Sequence, residues 1–174
     1  MEKFIPEYVE PFRLAEQNLQ LDGLVKLVDM HRLNTSLMNT GENDTVTVSL
    51  KFGMDEQRLP YIKGHLQVVL GLQCQRCLER FNYEIMSDFA LGIVKSLDEE
   101  KALPEQYEPA MVQDGQLALR ELIEDELILN LPIIPRHEPE ECVVKLPHAD
   151  SGWKQQDDSE NPFKVLQSLK HKEK

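Results

Sequence analysis

No stretch of this chain is apolar for anything near the ~18 residues that a membrane span needs. Its opening residues, MEKFIPEYVEPF, carry neither the basic cluster nor the apolar run of a secretion signal. From these absences a soluble, cytoplasmic protein with no membrane partner is expected. Cysteine is scarce and odd in number, three in 174 residues, which excludes a secreted disulfide framework and turns any thiol pair toward metal or redox chemistry. Catalytic signatures are missing as well. There is no G-x-S-x-G, no P-loop, no G-x-G-x-x-G and no H-E-x-x-H, and His31, His65, His137, His148 and His171 are scattered. The chain therefore reads as a non-enzyme without a small-molecule substrate. Positive charge is also in short supply: 19 Lys and Arg stand against 31 Asp and Glu, a formal net charge of −12. Such a surface repels nucleic acid, because phosphate binding needs clustered basic side chains. The only clusters on offer are Arg76 with Arg80, and Lys164, Lys170, Lys172 and Lys174.

What is present suits one α+β domain. The length falls within the roughly 100–200 residues usual for a single domain, and 41% apolar residues suffice for a core. Residues 1–23 read as an irregular approach interrupted by Pro6 and Pro11, with a strand near Leu19–Val25. The segment LVDMHRLNTSLM places apolar residues three and four apart, which predicts a short helix over residues 27–38. Val46, Val48, Leu50 and Phe52 alternate with polar residues, as do Leu66, Val68, Leu70 and Leu72, and Phe81, Tyr83, Ile85, Phe89, Leu91 and Ile93 share one parity. Segments 44–54, 59–73 and 80–94 are thus expected to form an antiparallel sheet, curled or barrel-like, with one buried and one solvated face.

The stretch SLDEEKALPEQYEP reads as a loop, and residues 107–112 as an edge strand limited by Pro109. From Gln116 the period changes: Leu119, Leu122, Ile123 and Leu127 make a helical stripe, with Glu121, Glu124 and Asp125 on the other side. Pro132 and Pro135 end this amphipathic helix, and the chain after it should cross the surface extended. The domain is placed at residues 1–146, a flexible linker at 147–160, and a short basic amphipathic helix at 161–174. Asn161 and Pro162 suit the cap and first position of that helix. It presents Phe163, Leu166 and Leu169 beside Lys164 and Lys170, as a partner-binding element would.

The sharpest local signal is Cys74-Gln75-Arg76-Cys77. Two thiolates at this spacing can chelate one zinc ion and leave two positions of its tetrahedron open. His137 and Cys142 can fill them, although 59 residues lie between Cys77 and His137, far from compact finger spacing. The bland alternative makes Cys74 and Cys77 small apolar residues at a strand end; a redox pair is weaker, since no βαβ pattern surrounds them. The carboxylates Glu121, Glu124, Asp125 and Glu126 form an acidic face that could bind a hard cation or do acid–base work. Such a run is more often the solvated side of a helix.

Four ordered blocks carry a resemblance: GLQCQRCLERFNYEI, LPEQYEP, LIEDELILNLPIIPRHEPEEC and NPFKVLQSLK. Their order and spacing resemble the YceD family, over most of residues 59–174 and more loosely before it. The resemblance implies a cytoplasmic, non-enzymatic ribosome-biogenesis factor, needed for synthesis, processing or stability of large-subunit ribosomal RNA. Its partner would be that RNA or a pre-ribosomal particle, reached directly through Arg76, Arg80 and the basic tail, or through a protein. Many relatives carry further cysteines after the L-P-x-x-P element, where this chain offers His137 and Cys142, so the resemblance also implies a zinc-type site. Two other readings compete: an acidic adaptor that engages an RNA-processing enzyme or ribosomal protein without touching RNA, and a carboxylate-dependent hydrolase.

Overall fold

The computed structural model of the chain describes residues 3–138, 141 and 142. The expected linker at 147–160 and helix at 161–174 lie outside the described residues, and with them Phe163, Lys164, Leu166, Leu169 and Lys170.

Alternating β-branched and polar residues produce the long strands. β1 (Tyr8–Val9), α1 (Pro11–Glu16) and β2 (Gln20–Lys26) come first. A single 3-10 turn (Leu27–Asp29) and α2 (His31–Asn34) lead into β3 (Thr45–Met54), β4 (Pro60–Gln73) and β5 (Arg80–Val94). α3 (Leu97–Lys101), β6 (Glu108–Met111), β7 (Leu117–Ala118) and α4 (Leu119–Leu129) complete the described chain. Five strands form one sheet in the order β2-β3-β4-β5-β6; β2 to β5 are antiparallel neighbours, whereas β6 runs parallel to β5. The register sets Phe52 beside Ile62, Val48 beside Leu66, Val68 beside Ile85 and Ile62 beside Leu91. All of these are buried, so a single parity carries the core face through three strands.

That face is covered by helices. Leu119, Ile123 and Leu127, four apart, are fully buried on α4; α1 lies against β3 and β4, and α2 against α4. β1 pairs with β7 in a separate two-stranded ladder, and Leu119 donates its N–H to the Glu7 carbonyl, so the N-terminal segment ties down the start of α4. The opposite face of the sheet is open to solvent, with Thr47, Lys51, Gln67, Glu84 and Met86 exposed along it.

Several expectations need correction. The sheet is open, with β2 and β6 as separate edges, so the barrel-like form is not supported. Pro11 starts a helix instead of interrupting one: its fixed φ suits the first helical position, where no N–H is needed. The helix expected over residues 27–38 shrinks to His31–Asn34 after the 3-10 turn, because the Asn34 amide donates to the Leu27 carbonyl and so caps the preceding turn. The stretch taken as loop after Ser96 contains α3, whose first turn is capped by the Ser96 hydroxyl accepting the Glu99 N–H. β6 pairs only with Leu91–Val94, so the rest of β5 has no strand on that side among the described residues. No helix among the described residues is long and apolar enough to cross a membrane.

Candidate metal centre

The turn joining β4 to β5 carries the paired cysteines. Cys74 is buried immediately after the end of β4, and Leu78 donates its N–H back to the Cys74 carbonyl at 2.9 Å. Leu78 itself adopts a left-handed backbone, φ 64°, which closes the turn tightly enough to bring both thiols to one side. The second arm arrives from the far end of α4. Pro132 and Pro135 oppose helix, the chain leaves α4 through bends at Leu131, Ile133 and Ile134, and the Pro135 carbonyl accepts the Gln75 N–H at 2.9 Å. With the His137 N–H reaching the Cys74 sulfur at 3.5 Å, that bond docks the arm onto the turn and brings His137 to the thiols.

The four side chains converge. The ligand atoms of Cys74, Cys77, His137 and Cys142 all lie within 4.8 Å of one another, and the four are the one group of three or more such donors so gathered among the described residues. A tetrahedron with metal–sulfur bonds of ~2.3 Å has edges of ~3.8 Å, so a small contraction would seat an ion. The Cys77 sulfur lies 3.3 Å from Nδ1 of His137, which makes Nδ1 the ring atom turned inward. Phe81 packs on that ring at 5.1 Å between centroids and holds its plane. Three thiols and an imidazole form a soft donor set, suited to an ion of tetrahedral preference and unsuited to magnesium or calcium. The cluster can hold a metal ion.

Its electrostatics favour thiolate. Burial alone would push the Cys74 thiol up, but N–H groups of Cys77, His137 and Arg76, together with the His137 ring, outweigh it and bring the thiol down to about 5. Cys77 is pushed up, first by burial and then by the neighbouring thiols of Cys142 and Cys74. The N–H donors thus favour the Cys74 thiolate while burial and the nearby thiols disfavour ionisation of Cys77, as expected where like charges crowd together. The Arg76 guanidinium donates from Nε to the Cys142 sulfur at 2.9 Å and from Nη2 to the Glu138 carbonyl at 3.4 Å.

The other residues singled out in the sequence fall elsewhere. Arg76 is turned toward the cysteines, whereas Arg80 lies flat over Gly71 on the solvent face of the sheet. The acidic face of α4 breaks up. Glu121 and Asp125 are exposed; Glu124 and Glu126 are buried. Glu124 accepts the N–H groups of Arg32 and Leu33 at the start of α2 and pairs with the Arg32 guanidinium. Burial would raise its pKa, but the hydrogen bonds from Leu33 and Arg32 hold it below the usual carboxylate range. This carboxylate caps a neighbouring helix and is not free for catalysis. Glu126 has the opposite environment: burial, then Glu108 and Asp125, raise its pKa. Sequence reasoning missed Arg32, which sits 92 positions from Glu124 with no local pattern connecting them.

Two comparisons with known proteins agree. A family model described as Large ribosomal RNA subunit accumulation protein YceD matches residues 62–170. The chain is also 34% identical over 171 residues to the Large ribosomal RNA subunit accumulation protein YceD of Haemophilus influenzae, an alignment that covers 97% of each chain. No solved structure matches.

Proposed function

The chain belongs to the YceD family, and from that premise we propose that it acts as a non-catalytic ribosome-biogenesis factor that sustains the synthesis, processing or stability of large-subunit ribosomal RNA. The observation that carries this reading is 34% identity, over an alignment that covers 97% of both chains, with a relative named for that accumulation, because an alignment of that extent includes the whole domain and not one shared motif. Its place of action is the cytoplasm, where ribosomes are assembled. Its target is large-subunit ribosomal RNA within a pre-ribosomal particle. Zinc at Cys74, Cys77, His137 and Cys142 serves structure: all four donors come from the protein, and a closed tetrahedron leaves no position for substrate.

Depletion in cells tests the reading. Large-subunit ribosomal RNA is expected to fall relative to small-subunit RNA while growth-independent metabolism is unchanged; equal loss of both would overturn it. Contact through a protein is favoured over bare RNA binding by one observation, the net charge of −12, which opposes phosphate at every face lacking a basic cluster. Affinity capture at low and moderate salt separates the two. Direct contact leaves salt-sensitive recovery of RNA after protein depletion, and mediated contact loses the RNA with a defined protein.

A further inference from the structure

α4 has two working faces. Leu119, Ile123 and Leu127 enter the core, and Leu122, Glu126 and Leu129, at spacings of four and three, line a groove between α4 and β6 of about 570 Å³. The floor is apolar, formed by Leu91, Ala110 and Leu117, with Met111 and the largely exposed Leu129 at its margins. Among the described residues five carboxylates line it, those of Glu108, Asp114, Glu121, Asp125 and Glu126, and no Lys, Arg or His does. Arg32 reaches Asp125 from outside at 2.5 Å. Glu108, Asp114, Glu121 and Glu126 have no ion-pair partner among the described residues.

Glu126 is the informative member. Only 8% of the residue is exposed, yet its carboxylate has no hydrogen-bond or ion-pair partner among the described residues. Side-chain oxygens fully enclosed without a partner are absent there too, so its oxygens open into the groove it lines. A carboxylate largely screened from water and left unpaired is disfavoured, and burial with the nearby Glu108 and Asp125 raises its pKa. The group that would relieve it is a cation entering from the groove.

We infer that this groove is a docking site for a lysine- and arginine-rich protein segment with leucine-type anchors, whose cationic heads meet Glu126, Glu121 and Glu108 while its apolar side chains lie between Leu122, Leu129 and Met111. A lone divalent ion fits less well, because the carboxylate oxygens of the groove do not gather as the metal-centre donors do. Charges spaced along a groove call for charges spaced along a chain, and long basic side chains lay their aliphatic stems on such a floor. The surface is independent of the ribosomal-RNA reading: it names a partner class and would exist on this fold whatever RNA the protein serves.

The test is fluorescence anisotropy on the full chain, using a labelled synthetic peptide of lysine and arginine with leucines at helical spacing. A lysine-only peptide of equal length is the control. Glu126→Gln is expected to weaken binding of the leucine-containing peptide about tenfold, and Leu129→Ser, at a largely exposed position, to weaken it without loss of thermal stability. Glu42→Gln, in the exposed loop before β3 and not part of the groove, is expected to bind as the parent does. Unchanged affinity in both groove variants would overturn the proposal, as would equal affinity for the lysine-only peptide. Binding seen only after deletion of residues 158–174 would assign the groove to this chain's own basic tail and overturn it as well.

Discussion

Arg32 and Glu124 are joined twice, through the Arg32 backbone N–H at 2.7 Å and through its guanidinium at 3.0 Å, so that one buried carboxylate fixes both the first turn of α2 and its side chain. Glu124→Ala strands the N–H groups of Arg32 and Leu33 beneath α4. Unfolding in urea is expected to show a loss of about 2–4 kcal/mol, the range for removing a buried charged acceptor of several hydrogen bonds. A loss within experimental error would mean that water replaces the carboxylate.

The two buried glutamates of α4 should respond to pH with opposite sign. Glu124 titrates below its unfolded value, so its contribution is present above that value, ~4.3, and disappears as pH falls through the lower folded pKa. Glu126 titrates above its unfolded value, so it opposes folding at neutral pH and ceases to do so on acidification. Denaturation across a pH series checks both. Glu126→Gln should raise stability near pH 7, with the gain vanishing in acid, whereas Glu124→Gln should flatten the parent's acid-side decline.

Purified protein is expected to carry about one equivalent of zinc, in keeping with the large binding free energies of closed thiolate–imidazole sites. Elemental analysis of the parent and of Cys77→Ser measures it, and the variant should be empty. Metal-free protein with all three thiols reactive and an unchanged melting temperature would leave the cysteines a purely packing role.

Gly64 lies opposite Phe89 on the core face, and a methyl group added there would approach the ring to 2.0 Å. The ring occupies the space that the glycine vacates, an arrangement that pins the register of β4 on β5. Gly64→Ala should therefore cost about 1–3 kcal/mol through overpacking, measured by thermal or urea unfolding. Gly115, with open space around its absent side chain, is the wrong comparator because its φ of 79° strains any replacement.

The strands were legible because their signal is periodic and local: the parity of Val46–Phe52, Leu66–Leu72 and Phe81–Ile93 is the parity of burial. The ends of β3, β4 and β5 fall within a residue or so of where turn residues place them. Pro11 misled because a proline is read as a break unless its position in the helix is known. The parallel pairing of β6 was hidden for a different reason, since strand direction depends on the path of the intervening chain and not on the four residues that pair. At the candidate metal centre, donor chemistry singled out four residues that the structure gathers, which spacing could not do. The groove carboxylate Glu126 was read as part of a solvated face, because a sequence shows charge along a helix but not which side faces β6.

The two halves of the metal centre are separated by 60 positions from Cys77 to His137, and β5, α3, β6, β7 and α4 all lie inside that span. An ion held there is a cross-link that closes a long ring. By the chain-entropy relation for a ring of this size, such a closure restricts the unfolded chain and stabilises the fold by about 4 kcal/mol, a gain shared by the whole segment between Cys77 and His137. Metal supply would then set how long that segment survives a protease, and the acidic groove would open or persist with it.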